Sequence, residues 1–279
     1  MIFTKMQGAG NDYVYFYGVA PQYHKPEFIR RISDRHYGVG SDGLINIEPG
    51  KTGDFRMIMF NADGSRSAMC GNGIRCVGKY VYDKGLTTKT EIDIETDAGM
   101  KHLTLYPENG KVTKVKVDMG EPVLSAKNIP VNIDAEKVVD YPLQLDNGDT
   151  FRITCVSMGN PHAIMFVGNP EIFPIEEIGN IIENHPLFPE RTNVEFISIL
   201  APDCIRMRVW ERGTGETMAC GTGACASLVA AVINGKAERK VTVVLNGGNL
   251  EIEWAADDNH VYMTGPAETV FEGEYPDNV

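Results

Sequence analysis

Short apolar runs, some alternating with polar residues and some continuous, are cut by glycine-rich turns and predict many strands around few helices. Phe3 and Met6, then Val14-Tyr15-Phe16-Tyr17, read as a hairpin turning at Gly8-Ala9-Gly10-Asn11-Asp12. Residues 25–36 follow as a short helix, then Leu44-Ile45-Asn46-Ile47 and Asp54 to Phe60 as strands. Further strands are predicted at 91–95, 101–106 and 112–118. Asp118-Met119-Gly120-Glu121-Pro122 breaks the pattern and marks the crossing into a second half. There, strands are expected at 131–133, 151–158, 163–167, 194–199, 204–210, 241–245, 250–254 and 260–264. A helix is expected at 174–184 and a last strand over 267–271.

Two helical patterns stand apart from the strands. Ile74 to Tyr82 carry only Arg75 and Lys79 as charges, and Ala224 to Ile233 are apolar on every face. A helix without a polar face has to be buried all round, as a central helix wrapped by a curved sheet would be. Each pattern is preceded by a cysteine and Gly-x-Gly, as Cys70-Gly71-Asn72-Gly73 and Cys220-Gly221-Thr222-Gly223. Each ends fifteen residues after its cysteine at a glycine, Gly85 or Gly235, and the copies are 150 positions apart. At the same spacing Asp54–Phe60 falls on Cys204–Trp210 and Leu44–Ile47 on Val194–Ile197, while Gly10-Asn11 falls on Gly159-Asn160 at 149. Several blocks in order at one spacing imply an internal duplication. Similar halves pack about a pseudo-twofold axis, and equivalent residues would then face one another across a cleft. The predicted fold class is α+β, with one lobe from 1–118 plus 266–279 and the other from 119–265.

The 279 residues can bury one large core or two of roughly 100–150 residues each. With 43% hydrophobic and 23% charged residues the balance is that of a globular chain, not a disordered one. A net charge of −12 argues against a nucleic-acid partner, which needs clustered Lys and Arg. The opening residues lack a signal-peptide core, and no run is long enough to span a bilayer. A cytoplasmic protein is therefore expected, with its six cysteines as thiols. Cys70 to Cys76 and Cys220 to Cys225 are wider than a metal clamp, so no metal site is predicted. Cys155 and Cys204 read as buried structural thiols.

Gly38-Val39-Gly40-Ser41-Asp42-Gly43 matches a dinucleotide fingerprint, but it follows a helix and opens a strand, the reverse of the required context. Gly221, Gly223 and Ala226 raise the same idea, and Arg212-Gly213-Thr214-Gly215-Glu216-Thr217 ahead of them is not expected to form a strand. No Schiff-base lysine motif or phosphate cradle for pyridoxal phosphate is evident, so no cofactor is predicted.

A cysteine ahead of a helix N-terminus has its thiolate favoured, and a free thiol titrates near ~8.5. Two such thiols a substrate's width apart can act on opposite faces of one carbon, one removing a proton and the other delivering one, which inverts a stereocentre. The backbone N–H groups of Gly71, Asn72, Gly221 and Thr222 could hold a substrate carboxylate and stabilise the charge that grows on it. Two opposed thiols would also join under oxidation when the cleft is empty. His24, His102 and His260 read as surface residues, and His36 and His185 carry no signal. His162, after Asn160-Pro161, lies in a duplicated block and is a site candidate.

The chain resembles the diaminopimelate epimerases, pyridoxal-independent enzymes, nearly end to end. The resemblance rests on Gly8-Ala9-Gly10-Asn11-Asp12, Phe60-Asn61-Ala62-Asp63-Gly64-Ser65 and Cys70-Gly71-Asn72-Gly73-Ile74-Arg75-Cys76. It continues through Gly159-Asn160-Pro161-His162, Glu190-Arg191-Thr192-Asn193-Val194, Glu211 to Thr217 and Ala219-Cys220-Gly221-Thr222-Gly223-Ala224-Cys225. It implies two similar lobes, each a curled mixed or antiparallel sheet around a central helix. It implies interconversion of LL- and meso-diaminopimelate, a step of lysine and cell-wall precursor synthesis, with Cys70 and Cys220 as acid and base. Asn11, Asn61, Asn160, Asn193, Glu211 and Arg212 would read the unreacted end and the amino groups, and His162 and Glu211 would tune the thiols. A homodimer is implied as well. Gly43 stands where many members carry glutamine, so no side-chain contact is expected there, and Thr222 replaces a serine whose backbone N–H would suffice. A proline or hydroxyproline racemase of similar architecture is the alternative, though it would not need Glu211 and Arg212 to grip a distal carboxylate and amine. A catalytically idle binding or structural protein is the reading from another class.

Overall fold

Alternation along the first hairpin sends Phe3, Val14 and Phe16 to one side and Tyr13 and Tyr15 to the other, and both sets are buried. A sheet covered on both faces explains why its inner strands read as continuous apolar runs. A computed structural model describes residues 1–145 and 148–276, and the chain divides into two units, Met1–Val117 with Thr264–Val279 and Asp118–Met263. Residues 277–279 of the lobe predicted from the sequence lie outside the described residues.

In chain order the first unit holds β1 (Ile2–Gly8), β2 (Asn11–Tyr17), α1 (Pro26–Ser33), β3 (Gly43–Pro49), β4 (Phe55–Asn61), β5 (Arg66–Ser67), α2 (Gly71–Asp83), β6 (Glu91–Thr96), β7 (Gly99–Glu108) and β8 (Lys111–Asp118). The second unit runs through β9 (Tyr141–Gln144), β10 (Thr150–Ser157), β11 (Pro161–Phe166), α3 (Ile175–Glu183), β12 (Asn193–Ala201), β13 (Cys204–Glu211), β14 (Gly215–Thr217), α4 (Gly221–Ile233), β15 (Lys240–Leu245) and β16 (Gly248–Trp254), and the unit boundary falls within β17 (Val261–Pro266). The last strand, β18 (Glu268–Glu274), returns to pair antiparallel with β1.

The sheets are mixed and follow one plan. β2 lies parallel to β3 with α1 in the crossover, and β4 parallel to β6 with α2 in the crossover. In the second unit β11 lies parallel to β12 across α3, and β13 parallel to β15 across α4. Even the registers repeat, since Leu44 faces Phe60 and Val194 faces Trp210, each partner displaced by the same 150 positions. One face of each sheet packs under the first helix of its unit: Phe3, Val14, Phe16, Leu44 and Phe60 meet Phe28, Ile29 and Ile32. Ala163, Met165, Val194 and Phe196 meet Ile175, Ile178 and Ile182. The other face holds α2 or α4, whose N-terminal halves are buried almost throughout.

Three expectations fail locally. Residues 131–133 form no strand, because the chain folds onto itself there, Val131 N–H donating to Ala126 O and Ile133 N–H to Val131 O. Gly215–Thr217 does form a strand, β14, as the return arm of a hairpin whose turn is closed by Thr214 N–H donating to Glu211 O at 3.0 Å. Cys204 is half-buried, while Cys155 is buried and its thiol is pushed up by burial and the nearby Glu195 carboxylate.

A pH-sensitive clip holds the loop between β3 and β4. Glu95 on β6 accepts hydrogen bonds from the backbone N–H groups of Lys51, Thr52 and Gly53. These donors, Thr52 first, hold its carboxyl down at about 2 from an ordinary 4.5. A depressed acid adds stability that is complete above its unfolded value and is lost as pH falls through the folded one. The unfolding midpoint is therefore expected to fall more steeply between pH 4.5 and 2 in the native protein than in Glu95→Gln, as thermal melts across that range would record. Parallel slopes would contradict the clip.

Candidate active site

Strand periodicity decides what reaches each cysteine helix. Asn11, Tyr13 and Tyr15 alternate toward α2, and Asn160, His162 and Ile164 lie two apart in the equivalent stretch of the second unit. Tyr15 OH donates to Gly73 O at 3.1 Å, and burial first, with the Cys76 and Cys70 thiols, pushes its phenol well up. Burial likewise lifts the Cys76 thiol to about 11, an inert core cysteine one turn along the helix.

Cys70 is the N-cap of α2, in extended backbone with φ −131° and ψ 123°. Its Sγ accepts the Gly73 N–H at 3.3 Å, the bond a serine or aspartate cap would make. Tyr13 OH lies 3.6 Å from the same sulfur. A helix N-terminus favours negative charge, so this cap position suits a thiolate. Asn72 sits in the first turn, its Nδ2 donating to Asn11 Oδ1 and its Oδ1 accepting from buried Arg75 at 2.8 Å. Arg75 also reaches Pro266 O at 3.1 Å and thereby ties the turn to the strand end beyond.

Cys220 caps α4 with nearly the same angles, φ −123° and ψ 113°. Its surroundings are more charged. Thr222 Oγ1 is 3.5 Å from Sγ and accepts from Asn160 Nδ2 at 3.3 Å. Asn160 Oδ1 lies 3.0 Å from His162 Nε2, and His162 Nδ1 lies 2.7 Å from Glu195 Oε1. Burial, then the Glu211 and Glu195 carboxylates, push the Cys220 thiol well up, while the Thr222 hydroxyl and Gly223 amide act the other way. Burial also raises the Glu211 carboxyl, opposed by hydrogen bonds from Thr217 and Cys220.

The remaining candidates are placed as follows. Gly71 and Gly221 are the first residues of their helices, with N–H groups at the positive helix ends. Asn61 ends β4, exposed, with Nδ2 donating to Ser65 Oγ at 3.0 Å. Asn193 is buried and spans backbone groups, donating to Pro161 O and accepting from Arg212 N–H, both at 2.9 Å. Arg212, at the β13–β14 turn, donates from its guanidinium to Glu190 O at 2.9 Å. In the first unit Cys70 is held by Gly73 N–H and Tyr13 OH, while Asn72 joins Asn11 and Arg75 in the helix's first turn, with Gly71 at the helix end. The second joins Cys220, Thr222, Asn160 and His162, with Glu211 on the thiol and Arg212 hydrogen-bonded to Asn193. At Gly43 an added Cβ would meet Phe60 O at 2.0 Å, so the backbone leaves no room for a side chain there. His102 is exposed, but His24 is half-buried against Phe60 and His260 is half-buried beside Asp118.

Tyr13, Thr217 and Glu195 belong to these networks and were not singled out by sequence. Tyr13 and Glu195 both carried a signal, since Tyr13 lies 149 positions before His162 and Glu195 falls inside a duplicated block.

Comparison with known proteins adds identity to this geometry. The model of a family described as diaminopimelate epimerase matches residues 3–125 and 154–270. A diaminopimelate epimerase of Acetivibrio thermocellus is 58% identical over 98% of this chain and 98% of its own. One from Methanococcus maripaludis is 56% identical over 98% of this chain and 99% of its own. Among solved structures, a probable proline racemase from Agrobacterium radiobacter superposes with a TM-score of 0.75 at 17% identity, over 99% of this chain and 93% of that one. A hydroxyproline epimerase from Agrobacterium vitis gives 0.73 at 16% identity, over 98% and 91%. These two share the fold.

Proposed function

This chain belongs to the diaminopimelate epimerase family, and from that membership we infer that it interconverts LL- and meso-2,6-diaminopimelate. It is an isomerase of amino-acid biosynthesis, and its substrate is a small molecule. The racemase-like fold neighbours do not compete with this reading, because their likeness is one of fold at 16–17% identity.

We further propose that Cys70 and Cys220 are the acid and base. One, as thiolate, takes the α-proton, and the other, as thiol, delivers a proton to the opposite face of the same carbon; the roles exchange with direction. The carbanion between the two steps needs its charge placed on the carboxylate. The N–H groups at the starts of α2 and α4, those of Gly71, Asn72, Gly221 and Thr222, are assigned to hold it. The observation that carries this reading is the pair of N-cap cysteines with matching extended backbone, each at a helix N-terminus, where the helix dipole favours negative charge. Asn11, Asn61, Asn160, Asn193, Glu211 and Arg212 are assigned to the unreacted end and the amino groups, and His162 and Glu211 to tuning Cys220. Asn193 does so through the backbone it braces.

The enzyme is further proposed to work as a cytoplasmic homodimer. Among the described residues no helix is long and apolar enough to cross a membrane, and Val270 and Phe271 on β18 expose apolar surface that a second copy could cover.

Isotope exchange tests the whole reading. In heavy water the protein is expected to place deuterium on the α-carbon of diaminopimelate as epimerisation proceeds and to leave proline and hydroxyproline unlabelled. Labelling of proline without labelling of diaminopimelate would move the chain to the racemase activity.

A further inference from the structure

The two cysteine helices start on one scaffold, so a difference between them carries information. A Cβ added to Gly73 would meet Ile45 Cδ1 at 2.7 Å, Cys70 Cβ at 3.4 Å and Met57 Cε at 3.4 Å. A Cβ added to Gly223 would meet Glu195 Oε1 at 2.6 Å, Met207 Cε at 3.0 Å and Cys220 Cβ at 3.3 Å. Glycine, methionine and cysteine recur at the same spacing, and the one exchange is Glu195 for Ile45. A carboxylate occupies the place beneath the first turn of α4 that a methyl group fills beneath α2.

Burying a carboxylate is costly unless it has partners, and leaving one of its oxygens bare costs more. Glu195 is fully buried, and its Oε2 has no hydrogen-bond partner. Isoleucine fills the equivalent place in the first unit, so space-filling alone does not account for a glutamate. What Glu195 does have is His162, also fully buried, at 2.7 Å. From His162 the contacts run through Asn160 at 3.0 Å and Thr222 at 3.3 Å to the Cys220 sulfur at 3.5 Å. In the first unit the equivalent of His162 is Tyr13, whose hydroxyl reaches the Cys70 sulfur directly. Each thiol therefore has a hydroxyl beside it, and the one at Cys220 is reached through Asn160 and His162 from the Glu195 carboxylate.

We propose that Glu195 is a positioning residue for Cys220: it anchors His162, and through Asn160 and Thr222 fixes the hydroxyl that touches the sulfur, making the two half-sites chemically unequal. This rests on the reading of Cys220 as an acid–base group. The charged and titratable groups around that thiol are Glu195 from β12, Glu211 from β13 and His162 from β11, so removing the Glu195 charge alters the thiol while Glu211 remains.

Glu195→Gln keeps the volume and a polar group, and Glu195→Ile copies the other half-site. The experiment follows alkylation of Cys70 and Cys220 by iodoacetamide in the substrate-free enzyme, each counted by peptide mass spectrometry, together with kcat, KM and the unfolding midpoint. In Glu195→Gln, Cys220 is expected to alkylate about five- to tenfold faster, because a neutral neighbour lets its thiolate form more readily. Cys70 is expected to keep its native rate, and kcat to fall about tenfold with KM nearly unchanged, the mark of a misplaced group and not of lost binding. A merely space-filling side chain predicts no change in the ratio of the two alkylation rates, and that result, or an unchanged kcat, overturns the proposal. If Glu195→Ile fails to fold, the glutamine variant alone decides. The parent reading fails by a different result: full turnover in Cys220→Ser removes the acid–base role whatever Glu195 does to alkylation.

Discussion

Replacing either Cys70 or Cys220 by serine is expected to lower epimerase turnover by about a thousandfold or more while KM stays within a few-fold. A serine can keep the N-cap hydrogen bond that Cys70 makes to Gly73 N–H, and at either position it has nearly the volume of the thiol, so both helix starts should survive the exchange. What it loses is acidity. A thiol near ~8.5 can be brought toward neutrality by a helix N-terminus, and a hydroxyl cannot. The reaction needs a base on one face and an acid on the other, so losing either group stops inversion in both directions. One-sided chemistry is expected to outlast it: the surviving thiol can still remove and return a proton on its own face, exchanging hydrogen without inversion. Chiral separation of the products, run beside deuterium incorporation, distinguishes the two processes. If either serine variant retains more than a tenth of native turnover, two-thiol catalysis is wrong.

The duplication was legible in the sequence because it preserves chemistry at fixed spacing, and the repeated strand registers follow that spacing through the fold. Long elements with one dominant pattern, such as α4 and the β3–β4 hairpin, were equally plain. Short ones were not. β5 has two residues and β14 three, held only by pairing across a turn, and neither length supports a periodicity. Residues 131–133 look apolar enough for a strand, yet their burial comes from packing a loop onto the second core. In the site, the two cysteines stood out because thiols are rare and doubly placed. Glu195 did not, since Val194-Glu195-Phe196 reads as a strand with one face in water. The sheet is covered on both faces, and a sequence pattern cannot reveal that the covering includes a buried histidine. Thr222 was valued for its backbone N–H alone, whereas its hydroxyl also lies between Asn160 and Cys220.

Arg212→Met is expected to raise KM for diaminopimelate by about a hundredfold or more, since removing one partner of a charged pair typically costs ~2–5 kcal/mol. The side chain is half-buried and prepared for such a pair. Its own N–H is fixed by Asn193, the next residue's N–H donates to Glu183 Oε1 at 2.8 Å, and the guanidinium is steadied by Glu190 O. A guanidinium has five N–H donors in a rigid fork, so the contact to Glu190 still leaves a pair for a carboxylate. Such preorganisation lowers the entropy lost on binding. Arg212→Lys keeps the charge without the fork and should fall between the native enzyme and the methionine variant. Because binding energy from a remote carboxylate also aligns the reacting carbon with both thiols, kcat should fall as well. A substrate lacking the distal carboxylate sharpens the measurement: it should be handled poorly by the native enzyme and hardly worse by Arg212→Met. KM unchanged in the methionine variant would take Arg212 out of substrate recognition and leave it a strut of the β13–β14 turn.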